Sequence, residues 1–280
     1  MNILTLLNKG SEKLKIKNIF SHRLDSEILL SNILKKRREE LLINLDKKVS
    51  FNNIRQFKKI ISRRSLNEPI AYILKNKEFW SKNFIVNRNV LIPRPETELM
   101  VEKIIKIYEK KDIFILDIGT GTGCILLSIL SELKKSRGVG IDISSQAVNI
   151  AKKNLNILNL PNNIKFKVKS LNDIYNYRFD LIVSNPPYIM TKDIKNLEED
   201  IKKFEPKLAL DGGNDGLDVI KKVIYKSKSI LKFKGMLALE IGNEQFKKVS
   251  KILSKNKFRI RYLIKDYSEN IRCVLSTLEK

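Results

Sequence analysis

Apolar residues near the start of the chain recur at the three- and four-residue spacing of helices that bury one face. The pattern predicts two helices, one capped by Asp25-Ser26 and starting near Glu27, the other capped by Ser50 or Asn52. Short amphipathic helices bury their apolar faces against one another, so residues 1–76 are predicted to form a small helical bundle.

The pattern changes at residues 77–92, where aromatic and β-branched residues alternate with polar turn residues. Such a stretch is typical of a β-hairpin, and we expect it to link two domains. Pro95 follows an extended turn and suits the first turn of a helix running to about Tyr108. The second predicted domain therefore comprises residues 93–280.

After residue 112, short apolar runs alternate with helical patterns in the order strand, loop, helix. This alternation predicts an α/β fold with a doubly wound, mostly parallel sheet and helices on both of its faces. The last two of seven predicted strands are joined by a short loop, which requires them to be antiparallel neighbours. The predicted strands are residues 113–117, 138–142, 164–168, 179–184, 236–241, 259–264 and 272–277.

The composition excludes several kinds of catalytic chemistry. The 280 residues include one histidine, His22, and two cysteines, Cys124 and Cys273. These are too few for a zinc site or for Ser-His-Asp or Cys-His catalysis, so no bound metal is expected. Two such distant cysteines build no disulfide framework, which favours a reducing, cytoplasmic compartment. No signal-peptide pattern or long uncharged apolar stretch is present, so neither secretion nor membrane insertion is expected.

The chain carries a formal net charge of +24, from 55 Lys and Arg residues against 31 Asp and Glu residues. A surplus of this size can draw a protein toward nucleic acid or toward an acidic protein partner. The lysines are dispersed and lack interleaved aromatic residues, which favours a biased composition with solvated lysines over a nucleic-acid surface. No obligate nucleic-acid partner is therefore expected.

A glycine-rich loop follows the first predicted strand of the sheet. Gly119, Gly121 and Gly123 stand before a helix, where backbone can approach a ligand too closely for any Cβ atom. Their spacing is neither that of the usual dinucleotide fingerprint nor that of a phosphate loop. The next strand ends at Asp142, where a carboxylate can accept hydrogen bonds from both hydroxyls of a ribose. Other nucleotide sites and plain turns share this pattern.

The fourth strand ends in Asn185, Pro186, Pro187 and Tyr188, at the edge of the sheet where ligands of α/β proteins bind. The Asn185 side chain and the Pro186 carbonyl both offer oxygen acceptors, and consecutive prolines have no backbone N–H group to compete for them. Two such acceptors can bind both hydrogens of one planar NH2 group and aim its nitrogen at an electrophilic carbon. Tyr188 supplies an aromatic wall. A rigid turn without function is the alternative, which the glycine loop in the same sheet disfavours.

Together with the glycine loop, the Asn-Pro-Pro-Tyr motif makes the chain resemble class I S-adenosylmethionine-dependent methyltransferases. More narrowly, the chain is similar over nearly its whole length to the peptide-chain release factor glutamine methyltransferases, the PrmC or HemK family. LIPRPETE is the most specific shared element after that motif, because neither cofactor binding nor sheet topology requires it. The similar segments are residues 36–40, 62–71, 78–80, 91–98 (LIPRPETE), 117–123 (DIGTGTG), 184–189, 204–206 and 238–242 (ALEIG).

The resemblance implies methyl transfer from S-adenosylmethionine to the side-chain amide nitrogen of the glutamine in the Gly-Gly-Gln motif of class I release factors. It also implies a monomer that meets its partner transiently, with residues 1–76 recognising the substrate. The implied catalytic residues are Asn185, Pro186, Pro187 and Tyr188. The implied cofactor-binding residues are Gly119, Thr120, Gly121, Thr122, Gly123, Asp142, Leu171 and Asn185.

The sequence departs from the family at the adenine site. Family members usually carry an acid and then a bulky apolar residue after the third strand, whereas this chain has Ser170 and Leu171. Leu171 can pack on the adenine ring or belong to the ordinary core, and Ser170 can accept weakly from the exocyclic amine.

A nucleic-acid amino methyltransferase is the alternative function. Adenine N6 and guanine N2 are also planar, conjugated NH2 groups that paired acceptors could hold, and the positive charge would suit phosphate contacts. Such an enzyme needs a region that reads bases and accepts a flipped base. The extra domain here is a short helical bundle, so the release-factor function is favoured.

Overall fold

The computed structural model describes residues 1–161, 163–175 and 177–279 of the chain. Two compact units make up this part of the chain. The first comprises Met1–Asn76 together with Glu198–Phe204, and the second comprises Lys77–Leu197 together with Glu205–Lys280. No helix within the described ranges is both long enough and apolar enough to cross a membrane.

The first unit is helical, as the sequence predicts. Its N-terminal part contains α1 (Ile3–Lys15), α2 (His22–Leu34), α3 (Arg38–Leu42), α4 (Phe51–Arg64) and α5 (Ile70–Leu74). Asn2 caps α1 by accepting from the Thr5 N–H at 3.0 Å, and Ser50 caps α4 by accepting from the Asn53 N–H at 3.3 Å. The apolar faces of these helices share one buried core, to which Leu6, Leu29 and Phe57 contribute.

The start of α2 differs from the prediction. The helix begins at His22, so Asp25 and Ser26 lie inside it and do not cap a helix near Glu27. Both side chains are buried: Ser26 donates to a carbonyl oxygen of α1 at 3.0 Å, and Asp25 accepts from Arg64 at 2.7 Å. Partners on other helices thus stabilise two polar residues that local preference alone would place at a helix terminus.

The predicted hairpin is present as a two-stranded sheet, followed by a helix that begins at Pro95. The segment between the fourth strand of the large sheet and the next long helix is mostly 3₁₀ turns and loop. The elements are β1 (Asn76–Phe79), β2 (Lys82–Ile85), α6 (Pro95–Tyr108), β3 (Phe114–Ile118), α7 (Cys124–Glu132), β4 (Arg137–Asp142), α8 (Ser145–Ile157), β5 (Ile164–Val168), β6 (Phe179–Ser184), α9 (Glu199–Phe204, in the first unit), α10 (Asp218–Ile230), β7 (Leu231–Glu240), α11 (Phe246–Lys255), β8 (Phe258–Lys265) and β9 (Ile271–Leu278).

Strands β3 to β9 form one sheet in the order β5-β4-β3-β6-β7-β9-β8. All pairs are parallel except those of β9, which runs antiparallel to both β7 and β8. This confirms the predicted fold class, including its antiparallel last strand. The strand order reverses between β3 and β6, so the loops after β3, β4 and β6 meet in the crevice where sheets of this type bind ligands.

Side chains alternate between two cores along the central strands. Ile115 of β3 packs with Met100 and Leu126 on one face of the sheet, whereas Leu116 packs with Val223 on the other. Because both faces are covered, the central strands are nearly continuous apolar runs, which explains why the sequence pattern detects them.

Strand β7 is longer than predicted. It begins at Leu231 rather than at Met236 because Leu231 is buried and pairs with Phe179 of β6. The polar residues that follow Leu231 are typical of a loop in sequence, and the β6–β7 register shifts there. Pairing with a neighbouring strand therefore overrides the local pattern.

Candidate active site

The three glycines after β3 adopt backbone conformations that other residues avoid. Gly119, Gly121 and Gly123 have φ angles of 72°, 54° and 80°. The N–H groups of Gly119 and Thr120 both donate to the Ile141 carbonyl oxygen, at 2.9 and 3.0 Å, and hold the loop against the end of β4. A Cβ atom on Gly119 would point into open space, so the loop presents bare backbone to a ligand in the crevice.

The two threonines of this loop are buried, and their hydrogen bonds within the protein stabilise the loop. Thr120 donates to Asp117 at 2.7 Å, and the Thr122 carbonyl oxygen accepts from Asn154 at 2.9 Å. Any cofactor contact by these two threonines would therefore come from their backbone. Burial raises the pKa of Asp117 to about 7, while the Thr120 hydrogen bond acts to lower it and the charge of Asp142 to raise it.

Asp142 lies beside the glycine loop, which brings together two of the predicted cofactor elements. The Gly121 N–H donates to one carboxylate oxygen at 3.0 Å, and the Ser144 N–H donates to the other at 2.9 Å. The side chain is half-buried. Each oxygen keeps a further lone pair, so the carboxylate can still accept hydrogen bonds from ribose hydroxyls.

The Asn-Pro-Pro-Tyr motif directly follows β6, the neighbour of β3 in the sheet. Ser184, the last residue of β6, donates to the Ile118 carbonyl oxygen at 2.8 Å and so joins the ends of the two strands. Pro186 is buried, and the other three residues of the motif are half-buried. In the part of the chain that the structure describes, no hydrogen bond ends on the Pro186 carbonyl oxygen, so that acceptor is available.

A buried acid, Glu240, lies next to Asn185, whose side chain acts to lower the pKa of Glu240. Glu240 is the last residue of β7, and it also accepts from Thr97 of α6 at 2.5 Å. Burial raises the pKa of Glu240 to about 7, although the Thr97 hydrogen bond, the positive charge of Arg272 and the Asn185 side chain act to lower it. The sequence pattern did not place Glu240 in the site. The sequence signal for Glu240 is the ALEIG segment, which resembles the family but to which the resemblance assigns no role.

Tyr188 is anchored through its backbone. Gln245 of the loop before α11 donates to the carbonyl oxygens of Tyr188, at 2.9 Å, and Gly216, at 3.2 Å. Burial, reinforced by the charge of Glu240, raises the pKa of the phenol well above its ordinary value. Tyr188 is therefore a neutral aromatic side chain directly after the two prolines, and its role as a wall against a flat group stays a prediction.

The family-like segments LIPRPETE and Phe-Glu-Pro meet at a buried carboxylate. Arg94 donates to Glu205 at 2.5 Å, and the Ile92 N–H donates to the same carboxylate at 3.3 Å. Thr97, in the same LIPRPETE segment, reaches Glu240. LIPRPETE thus links the long segment after β6 to the end of β7.

At the predicted adenine site, Ser170 caps a 3₁₀ turn over Leu171–Asp173. Its hydroxyl accepts from the Asn172 N–H at 3.3 Å, and Asp173 turns back to accept from the Ser170 N–H at 3.0 Å. Leu171 is half-buried and packs against the core on one face of the sheet. Its contact with adenine stays a prediction.

The histidine and the cysteines have other surroundings. His22 belongs to the first unit and is hydrogen-bonded to Ser11 at 2.7 Å, and Cys124 and Cys273 are free thiols. Over residues 1–161, 163–175 and 177–279, no group of three or more His, Cys, Asp or Glu side chains could hold a metal ion.

The order of the strands, and the loops where that order reverses between β3 and β6, are those of a methyltransferase. A family model described as the methyltransferase small domain matches residues 95–266, and one described as the PrmC N-terminal domain matches residues 5–74. The chain belongs to the family of release factor glutamine methyltransferases. A release factor glutamine methyltransferase of Buchnera aphidicola subsp. Baizongia pistaciae is 40% identical over 233 residues, covering 81% of this chain and 82% of the relative. That of Clostridium acetobutylicum is 38% identical over 232 residues, with 81% of each chain covered.

Solved structures share the fold at low sequence identity. The hMettl16 catalytic domain, in complex with MAT2A 3'UTR hairpin 6, has a TM-score of 0.58 and 15% identity, over 70% of this chain and 76% of that one. The ribosomal protein L11 methylase of Lactobacillus delbrueckii subsp. bulgaricus has a TM-score of 0.51 and 18% identity, over 68% and 82%. At these identities the similarity supports the fold alone.

Proposed function

We propose that this protein methylates the side-chain amide nitrogen, N5, of the glutamine in the Gly-Gly-Gln motif of class I peptide-chain release factors. S-adenosylmethionine is the methyl donor, and the products are N5-methylglutamine and S-adenosylhomocysteine. The observation that carries the proposal is the position of the Asn185 amide: it directly follows β6, next to the strand that carries the glycine loop and beside the buried Glu240 at the end of β7. The names of the relatives support a release factor as the substrate.

The residues around the crevice fit S-adenosylmethionine. The open space at Gly119 leaves room for a ligand against bare backbone, and Asp142 keeps lone pairs for the ribose hydroxyls. Leu171 would pack on the adenine ring. When bound, the cofactor supplies a methyl group made electrophilic by its sulfonium.

The chain itself must make a weak nucleophile reactive. An amide nitrogen shares its lone pair with the carbonyl group, so orientation and hydrogen bonding must replace a side-chain base. Asn185 Oδ1 and the Pro186 carbonyl oxygen would accept the two N–H hydrogens and turn the lone pair toward the methyl group. These hydrogen bonds strengthen as the nitrogen becomes tetrahedral, so they stabilise the transition state. One of the two hydrogens leaves to solvent as a proton once the new C–N bond has formed.

The two parts of the chain would divide the work. We assign recognition of the release factor to residues 1–76, linkage to residues 77–92 and methyl transfer to residues 93–280. The match of residues 5–74 to the PrmC N-terminal domain supports this division. The protein would act as a monomer in the cytoplasm, where release factors work on ribosomes.

Labelled S-adenosylmethionine, incubated in parallel with a class I release factor, with DNA and with ribosomal RNA, tests the proposal. We expect label in the release factor alone, at the glutamine of the Gly-Gly-Gln motif. A release factor with alanine in place of that glutamine is the matched control and should stay unlabelled. Label in nucleic acid alone would identify an exocyclic-amine methyltransferase instead, since adenine N6 or guanine N2 could occupy the same acceptors.

A further inference from the structure

Asn185 and Glu240 stand side by side at the ends of two neighbouring parallel strands. Ser184 of β6 pairs with Leu239 of β7, so the next residue on each strand brings Asn185 beside Glu240. The Asn185 amide also acts to lower the pKa of Glu240, which fits a polar contact between the two side chains. The contact therefore follows from the register of the sheet.

The chemistry of this pair decides which end of the Asn185 amide faces the crevice. A carboxylate only accepts hydrogen bonds, so the neighbouring Asn185 amide can bond to it only through Nδ2. With Nδ2 bound to Glu240, Oδ1 is the amide atom left for a substrate. The reverse orientation would set Nδ2 against the NH2 group of a glutamine, which places two donors opposite one another.

Other groups keep Glu240 in its accepting form against the effect of burial. Thr97 donates to its Oε2 atom, and the positive charge of Arg272 favours the carboxylate. Arg272 itself donates to Asp266 at 2.7 Å, so it acts on Glu240 through its charge. The negative charge of Glu96 on α6 acts in the opposite direction. Three neutral groups also lie near Glu240, and its charge acts to raise the pKa of each: Cys124, Tyr188 and Cys273.

We propose that Glu240 is a positioning residue, a role that rests on the function proposed above. Its carboxylate, held by Thr97, binds Asn185 Nδ2 and so turns Asn185 Oδ1 toward the glutamine amide. A protonated Glu240 can also donate to Oδ1, and the amide is then free to present its donor end to the substrate. Turnover therefore falls as Glu240 gains a proton, whereas cofactor binding, which uses the loops after β3 and β4, does not change.

Glu240→Gln tests this role, because the new side chain has the same shape but is no longer restricted to accepting. In the unmodified protein we expect kcat to fall on the acid side of a midpoint near pH 7, the region in which Glu240 titrates. In Glu240→Gln we expect kcat to be about 10- to 100-fold lower and to lack this fall at acid pH, called the acid limb below. The affinity for S-adenosylmethionine should not change. Thr97→Val removes a hydrogen bond to the carboxylate and should move the limb to higher pH, whereas Thr97→Ser should leave it in place.

An unchanged kcat in Glu240→Gln, or a lowered kcat that keeps the acid limb, would overturn the proposal. If Glu240→Gln does not fold, the Thr97→Val profile decides: a shifted limb supports the role of Glu240, and an unmoved limb overturns it. Asn185→Ala separates this role from the proposed function. Normal turnover in Asn185→Ala refutes the amide-holding mechanism itself, whereas inactive Asn185→Ala beside normal Glu240→Gln refutes only the role of Glu240.

Discussion

Gly121 donates its backbone N–H to the Asp142 carboxylate at 3.0 Å, which joins the loop after β3 to the end of β4. The Ser144 N–H holds the other carboxylate oxygen at 2.9 Å, so the side chain is oriented before any ligand arrives. Such preorganisation lowers the entropic cost of binding. We therefore expect the glycine loop and the acid to act as one cofactor-binding element.

Replacing Asp142 by alanine should chiefly weaken cofactor binding. The change removes the acceptors for the ribose hydroxyls and the anchor of Gly121, so we expect affinity for S-adenosylmethionine to fall at least about tenfold, or ~1.4 kcal/mol. Titration calorimetry measures the affinity, and kcat at saturating cofactor should stay near that of the unmodified protein. Unchanged affinity would remove Asp142 from the cofactor site.

Asn185→Ala should have the reverse effect. Loss of one of two oriented acceptors should lower kcat about 100-fold or more, by analogy with removal of one oxyanion-hole donor. Cofactor affinity should remain, because the loops after β3 and β4 are untouched. Single-turnover methylation of a release factor, with calorimetry in parallel, measures both quantities. A variant that keeps its kcat but loses cofactor affinity would place Asn185 in cofactor binding alone.

Two glycines of the loop should respond differently to alanine. Gly123→Ala would set its Cβ 3.0 Å from the Phe166 ring in a conformation with φ of 80°, so we expect unfolding free energy to fall by ~2 kcal/mol or more. Gly119→Ala meets open space and carries only the backbone strain, ~1 kcal/mol, but its methyl group would enter the cofactor crevice. Urea denaturation and cofactor titration of both variants separate the effects. Equal losses of stability would contradict this difference.

Arg94→Ala should destabilise the second unit. The Glu205 side chain is 1% exposed, and removal of its guanidinium partner leaves a buried charge that is less well compensated. We expect a loss of ~2 kcal/mol in unfolding free energy, measured by urea denaturation. The matched control is Arg261→Ala, because Arg261 pairs with Glu279 at 2.8 Å while both side chains are more than a third exposed. The control should lose less than ~1 kcal/mol, and equal losses would show that burial of Glu205 adds nothing.

Asp117→Asn should change the pH dependence of stability. Burial raises the pKa of Asp117 to about 7, against ~4 in the unfolded chain. Between these two values the folded state holds a proton that the unfolded state has released, so stability falls as pH rises through this window. The variant lacks this titration, and its unfolding free energy relative to the unmodified protein should increase from pH 5 to pH 8. Glu240 titrates in both proteins and cancels in the comparison, so a difference independent of pH would mean that Asp117 ionises normally.

Some features were predictable because contiguous residues encode them. Strands β5 and β6 have the predicted bounds: β6 is a mostly buried apolar run, as a strand covered on both faces requires, and the edge strand β5 alternates buried apolar residues with lysines. Pro95 begins α6 as expected, because its fixed φ angle suits the first helical position. The positive φ angles of the three loop glycines likewise agree with the glycine pattern.

By itself, the sequence determined the helical nature of the first unit, the alternation of strands and helices after residue 112, the class of sheet and the positions of the glycine loop, Asp142 and the Asn-Pro-Pro-Tyr motif. Only the tertiary structure decided the partners of the buried polar groups. Glu240 lies beside Asn185, Arg94 reaches Glu205 across 111 positions, and Asp25 binds Arg64 instead of capping a helix. Local patterns encode periodicity and caps, whereas a buried polar side chain takes whichever partner the packing of distant segments brings within hydrogen-bond distance.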